Sequence, residues 1–332
     1  MIRRALAPVL LIIALVIPVA AQERVTVGTM RATANGALFL AAAQGYFKAE
    51  GLDLDMTAYA SDKDVVDALA AGATDFGLAG FTPAAFNLAG KGAIKAIAAQ
   101  VREKRDYEGN EIVVSNAAYA RGVRKAEDLA GKTVAISHFG SAYHYQLGQI
   151  ARVKRFELSG ITLKPVQTLE SMARAVGTGD TDVAILPAQY VRELLIANQA
   201  KLIGWYSELD EQQLGALFAS AKTLQGRRET VEKFLRAYRR GAADYATMLR
   251  IDRYGKRVST PKSREVASII ARYALPGKPS GAASVEAGAF YMDPQAKLDP
   301  ADLERQVTWH KAQRLIEQSV DARNVVDPSF VK

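Results

Sequence analysis

The chain of 332 residues carries 43 Lys+Arg against 35 Asp+Glu, a formal charge of +8, with 49% hydrophobic residues, 23% charged residues and no cysteine. That apolar fraction excludes disorder and 25 glycines exclude a collagen repeat. Zero cysteine excludes disulfide scaffolds, zinc ribbons, iron-sulfur clusters and thiol catalysis.

The first 21 residues are unlike the rest. Met1 to Arg4 is a short basic head, Ala5 to Val19 is almost wholly apolar, and Val19-Ala20-Ala21 offers small residues to a signal peptidase. This pattern predicts a signal peptide at 1–21, cleaved near Ala21/Gln22, and a periplasmic mature protein. As a membrane anchor the run is broken by Pro8 and Pro18 and falls short of the roughly 20 residues that span a bilayer. No Cys follows, so a lipoprotein is excluded. The leader holds Arg3 and Arg4 and no acid, so cleavage lowers the charge from +8 to +6. Clusters such as Arg102-Glu103-Lys104-Arg105-Asp106 mix signs and read as solvated faces, so no nucleic-acid partner is expected.

From Ala68 the chain reads Ala-Leu-Ala-Ala-Gly-Ala-Thr-Asp-Phe-Gly-Leu, and from Ala175 it reads Ala-Val-Gly-Thr-Gly-Asp-Thr-Asp-Val-Ala-Ile. Ala68/Ala175, Gly72/Gly179, Thr74/Thr181 and Asp75/Asp182 are identical at an offset of 107, which also pairs Thr26-Val27 with Thr133-Val134. Two similar halves explain this. In each, a helix closes at a glycine, and Thr-Asp turns the chain into a short apolar strand. The first half predicts strand 25–29, helix 36–50, strand 52–57, helix 63–71 and strand 76–79. The second predicts strand 133–137, helix 141–158, strand 161–165, helix 169–177 and strand 183–186.

Alternation of this kind argues for an α/β protein with two open parallel-core sheets. Extended runs at 111–116 and 216–220 are expected to be two hinge crossings, with bending at 112–115 and 217–220. The domains are then 22–115 for the first part of lobe 1, 116–216 for lobe 2, and 217–332 for the completion of lobe 1 and the C-terminal helices. That tail shows helical spacing over 228–249, 262–273 and 300–319.

Three stretches carry a family resemblance: Gly45-Tyr-Phe-Lys-Ala-Glu-Gly-Leu-Asp-Leu54, Ala68 to Gly80, and Glu127-Asp-Leu-Ala-Gly-Lys-Thr-Val-Ala-Ile-Ser137. In order and spacing, from about Val25 to Leu249, the chain resembles the substrate-binding proteins of bacterial ABC importers. The branch is the nitrate/sulfonate/taurine (NMT1-like) one, which also includes thiamine-pyrimidine binders. The resemblance implies a type II periplasmic binding fold, whose two lobes close on a small molecule, and an ABC permease and ATPase as partners.

Ligands of open α/β sheets sit beyond the carboxyl ends of the strands. Four such loops are singled out: Met30 to Gly36, Gly80 to Ala84, His138 to Tyr145 and Pro187 to Tyr190. Their helices would aim N-terminal N–H groups into one cleft, a ready anion site. Candidate substrate-binding residues are Arg31, Asn35, Gly36, Phe81, Thr82, His138, Phe139, Gly140, Ser141, Tyr143, His144 and Gln189. The resemblance implies that Gly140-Ser141 receives a sulfonate or carboxylate oxygen; the alternative is that Ser141 only caps its helix. Arg31 either neutralises ligand charge or is solvated. His138 and His144 are six apart with no HExxH arrangement, so no metal is expected. Phe81, Phe139, Tyr143 and Tyr190 offer aromatic walls, which favours an organic acid with a ring or apolar body over bare nitrate.

No cofactor or catalytic residue is expected. Gly131-Lys132-Thr133 lacks the earlier glycine of a phosphate loop and precedes a strand. The expected product of this reading is a monomeric binding protein that delivers a small organic anion to an importer. The alternatives are a ligand sensor for a membrane receptor and a binder of a thiamine-pyrimidine precursor.

Overall fold

The computed structural model describes residues 22–249, 251 and 257–331. The expected signal peptide at 1–21 lies outside the described residues. Twelve strands occur among the described residues: β1 Glu23–Thr29, β2 Leu52–Ala58, β3 Phe76–Gly80, β4 Ile94–Ala99, β5 Arg102–Glu103, β6 Asn110–Ser115, β7 Thr133–Ile136, β8 Thr162–Pro165, β9 Val183–Pro187, β10 Ala200–Trp205, β11 Gln212–Gln213 and β12 Gly215–Ser220.

They form two five-stranded sheets, β2-β1-β3-β12-β4 and β10-β6-β9-β7-β8, and the pair β11-β5. The expected parallel core is present in both. β1 runs parallel to β2 and β3, and β7 runs parallel to β8 and β9. Each sheet also takes one strand antiparallel to its neighbours, β12 in the first and β6 in the second.

Those two strands are the runs expected to be hinges, and this corrects the reading. The segment 111–116 belongs to the second sheet through β6, and 216–220 belongs to the first through β12. Every residue of both strands is buried, which an open hinge crossing would not allow. The chain actually crosses at β5 and β11, which pair antiparallel with Glu103 opposite Gln212 and Arg102 opposite Gln213. The expected boundary at 115/116 therefore moves upstream of Asn110, and Ala216 passes to the first sheet. Two-residue polar strands leave no hydrophobic run to read.

The Thr-Asp repeat has a structural cause. The Asp75 N–H donates to the Thr26 carbonyl at 3.0 Å, and its Oδ2 accepts from the Thr26 N–H at 3.0 Å. In the other sheet the Asp182 N–H donates to the Thr133 carbonyl at 2.9 Å, and its Oδ2 accepts from the Thr133 N–H at 3.0 Å. Each Asp carbonyl also receives the final N–H of the antiparallel strand of its sheet, from Ser220 of β12 at 3.1 Å and from Ser115 of β6 at 2.9 Å. One residue thus locks three neighbouring strands in register.

Burial raises the Asp75 carboxyl, but the Thr26 N–H and the Arg227 guanidinium outweigh it and hold its pKa below the ordinary value. Asp75→Asn is expected to lower stability by about 1 kcal/mol at pH 7, after solvent screening, read as a lower urea midpoint. The folded pKa lies below the unfolded value of 3.8. The wild-type advantage is therefore present above 3.8 and lost as pH falls through the folded value, where the two proteins should converge.

The helices follow the expected spacing with three departures, one of them expected helix 141–158, which ends at Lys154 before the left-handed Arg155 (φ 59°). Expected helix 36–50 breaks at Gly45, whose φ of 71° is left-handed, into Gly36–Ala43 and Tyr46–Ala49. Expected helix 300–319 stops at Ala312. Helix Arg228–Ala246 packs under the first sheet, with Phe234 stacked on Phe76 at 3.9 Å. Helix Pro300–Ala312 reaches the second lobe, where Trp309 meets the rings of His144 and Tyr145 edge-on at 5.0 and 5.2 Å. Among the described residues no helix is long and apolar enough to cross a membrane.

Candidate functional site

Six strands end at one cleft between the sheets. The loops after β1, β2, β3, β7, β8 and β9 all contribute lining, as parallel strands pointing their carboxyl ends the same way require. The cleft encloses about 430 Å³.

Four of these loops end in a hydroxyl N-cap: Ser61, Thr82, Ser141 and Thr168. Each accepts from a backbone N–H one turn ahead, which leaves the other first-turn N–H groups and the positive helix end facing the cleft. The four differ in their own protons. Ser61 donates to Asp64 at 2.7 Å and Thr168 to Ser171 at 3.0 Å. Thr82 and Ser141 accept from Ala85 and His144, both at 3.3 Å, and among the described residues have no acceptor for their O–H. These two caps belong to opposite sheets, yet their helices abut. A Cβ added to Gly140 would lie 2.3 Å from Pro83 Cγ, and Gly140 holds a left-handed φ of 82°. Two spare hydroxyl donors and two helix N-termini therefore converge from both lobes.

Of the expected site residues, Arg31, Asn35, Phe81, Thr82, His138, Ser141, Tyr143 and Gln189 line the cleft, as does Tyr190. Their availability differs. Asn35 is consumed internally, donating to the Met30 carbonyl at 2.9 Å and accepting from Gln100 at 2.5 Å. Phe81 is 2% exposed and packs on Phe86 and Phe218, so it is chiefly core. Arg31 is exposed and has no ion-pair partner among the described residues. Burial lowers the pKa of His138, and the charge of Asp62 pulls it partly back.

Four expected contacts are absent from the lining. Gly36 is packed against Tyr245 and Ile270, which a Cβ would strike at 2.8 and 2.7 Å. Phe139 is 52% exposed outside the cleft. Gly140 spends its N–H on His144 Nδ1 at 3.0 Å, and its carbonyl faces His310 Nε2 at 3.2 Å. His144 is buried under Trp309, and burial together with the charges of His310 and His138 pushes its pKa down to about 4. It is thus the neutral acceptor that the Gly140 N–H needs, rather than a ligand contact.

The cleft also holds residues the sequence reading passed over: Tyr59, Asp62, Gln167, Glu170, Leu275 and Phe290. The strand-end rule covers Tyr59, Asp62, Gln167 and Glu170, because β2 and β8 are parallel members of their sheets too. Leu275 and Phe290 come from the C-terminal segment, where no local signal points to a site.

The family model described as NMT1/THI5 like matches residues 33–248. No curated protein matches the sequence. Among solved structures, the periplasmic aliphatic sulphonate binding protein SsuA from Escherichia coli is 15% identical, with a TM-score of 0.70 over 92% of each chain. The periplasmic nitrate-binding protein NrtA from Synechocystis PCC 6803 is 12% identical, with a TM-score of 0.68 over 92% of this chain and 85% of that one. A DSZB mutant in complex with biphenyl-2-sulfinic acid is 15% identical, with a TM-score of 0.62 over 93% and 97%. At such identities the likeness is one of fold.

Proposed function

The chain belongs to the NMT1/THI5-like family, and from that premise we propose that it is a periplasmic solute-binding protein that captures a small organic anion between its lobes and delivers it to an ABC importer. The observation that carries this is the convergence of Thr82 and Ser141, two caps with undonated hydroxyl protons, at abutting helix N-termini of opposite lobes. An oxyanion there accepts from both hydroxyls and from first-turn N–H groups.

Tyr59, Tyr143, Tyr190 and Phe290 supply ring and apolar surface that a bare inorganic anion leaves uncovered, so the ligand is an organic sulfonate or carboxylate with a ring or apolar body. Closure about β5 and β11 presents the paired lobes to the permease. The reading is one of binding: the His144 ring is turned to the Gly140 N–H and serves neither spare hydroxyl.

Calorimetric titration with benzoate, benzenesulfonate, taurine and nitrate tests the reading. The aromatic acids are expected to bind at least tenfold tighter than nitrate, with compaction in small-angle scattering at saturation. Binding of nitrate alone would overturn the organic-anion assignment.

A further inference from the structure

One cleft carboxylate is left unmatched by a plain anion. Asp62 opens helix Asp62–Ala70 and accepts from the Gly80 N–H through Oδ1 at 2.8 Å. Among the described residues its Oδ2 has no hydrogen-bond partner, and the residue lines the cleft. The second carboxylate of the lining, Glu170, is held by the Tyr190 hydroxyl at 2.8 Å. Arg31, the guanidinium of the lining, pairs with neither.

We infer that the ligand carries a hydrogen-bond donor, an ammonium or amino group, which Asp62 Oδ2 accepts while Thr82 and Ser141 hold its anionic end. This rests on the organic-anion reading above and narrows it to amino-substituted sulfonates or carboxylates. Gly80 and Thr82 are two residues apart, at most about 7 Å of extended chain, so one small molecule reaches both Asp62 and the caps. A ligand without a donor would strip water from Asp62 and leave its Oδ2 unpaired beside a second negative group, which costs affinity on both counts. A donor on the ligand removes both costs.

Across the cleft Asp62 faces His138 and Tyr143 of the second lobe. Asp62 acts on both through its charge, and burial raises its own carboxyl. His138 is kept mostly neutral at pH 7 by burial, so it does not supply the missing cation. Bound ammonium favours the ionised carboxylate, and affinity for an amino-bearing ligand should therefore rise with pH until Asp62 is fully ionised. A protonated Asp62 that donated to a plain anion would give the opposite slope.

Matched pairs decide the matter: 4-(aminomethyl)benzoate against 4-methylbenzoate, and taurine against ethanesulfonate, titrated into wild type and Asp62→Asn. The Asn retains an oxygen for the Gly80 N–H, so the loop is expected to keep its shape. The amino member of at least one pair should bind wild type tenfold or more tighter than its partner. In Asp62→Asn that preference should vanish, the amino-bearing acid losing its acceptor while the plain acid binds at least as tightly as it binds wild type. Plain acids that bind wild type as tightly as their amino partners, or a preference that survives in the variant, would overturn the inference and leave the organic-anion reading standing. Failure of every pair member to bind overturns both.

Discussion

Ser141→Asp is expected to leave the protein folded and to weaken anion binding by at least about a hundredfold. Asp caps a helix about as well as Ser, so the first-turn N–H of His144 that Ser141 now satisfies keeps an acceptor and the melting temperature stays within a few degrees. The new carboxylate instead occupies the anion position at the helix N-terminus. Two unit charges about 4 Å apart repel by about 4 kcal/mol at an effective dielectric near 20, roughly a thousandfold in affinity. Relaxation and solvent reduce this, and a loss of at least about a hundredfold is expected by calorimetry.

Ser141→Gly separates the two roles. Gly costs a cap only a few tenths of a kcal/mol, whereas a hydroxyl donor to an anion is worth roughly 1.5–3 kcal/mol, so affinity should fall about tenfold or more with little change in stability. Binding by Ser141→Asp within threefold of wild type would reduce Ser141 to a helix cap and move the anion elsewhere.

What was legible in the residues depended on whether chemistry repeated locally. The 107-residue offset was visible because Asp75 and Asp182 perform the same backbone task, closing on Thr26 and Thr133 in sheets of the same build. Caps were visible for a similar reason: Thr82-Pro83 and Ser141 are local signals, and both reach the cleft. Strand direction was not visible. β6 and β12 read as extended apolar runs, but nothing in such a run says that it inserts antiparallel into the far sheet. β4 and β10 were missed because Ile94-Lys-Ala-Ile-Ala-Ala and Ala200-Lys-Leu-Ile-Gly-Trp are rich in Ala and Gly, which strands disfavour. Gly140 and His144 drop out of the expected contacts because the Gly140 N–H is taken by the His144 ring four residues on, a pairing that no local pattern announces.

Glu103→Gln stabilises the protein at neutral pH and flattens its alkaline stability profile. Glu103 sits in the crossing strand β5 at 0% exposure. Its Oε1 accepts from the Asn110 N–H at 2.9 Å and from Gln146 Nε2 at 3.3 Å, while Oε2 has no partner among the described residues. Gln146 also donates to Gln212 at 3.0 Å, so this buried set ties both crossings to helix Ala142–Lys154 of the second lobe. Burial pushes the Glu103 carboxyl up to about 8, against the partial pull of Asn110 and Gln146. At pH 7 the folded chain therefore holds a proton that the unfolded chain, titrating at 4.5, has released. Stability associated with this group is full below 4.5 and falls as pH rises toward 8, by up to about 1.4 kcal/mol per pH unit. A glutamine imitates the protonated form at every pH, so it should gain about 2 kcal/mol over wild type at pH 7, more at pH 8, and little at pH 4.5. Glu111, raised to about 7 by burial and by the charge of Glu108, keeps a shallower slope of the same sign in the variant. His144 titrates in acid with the opposite sign, so the comparison belongs between about pH 6.5 and 8.5, in urea melts of both proteins. Equal slopes with a less stable variant would mean that Glu103 is ionised in the fold and that the hinge network is built around its charge.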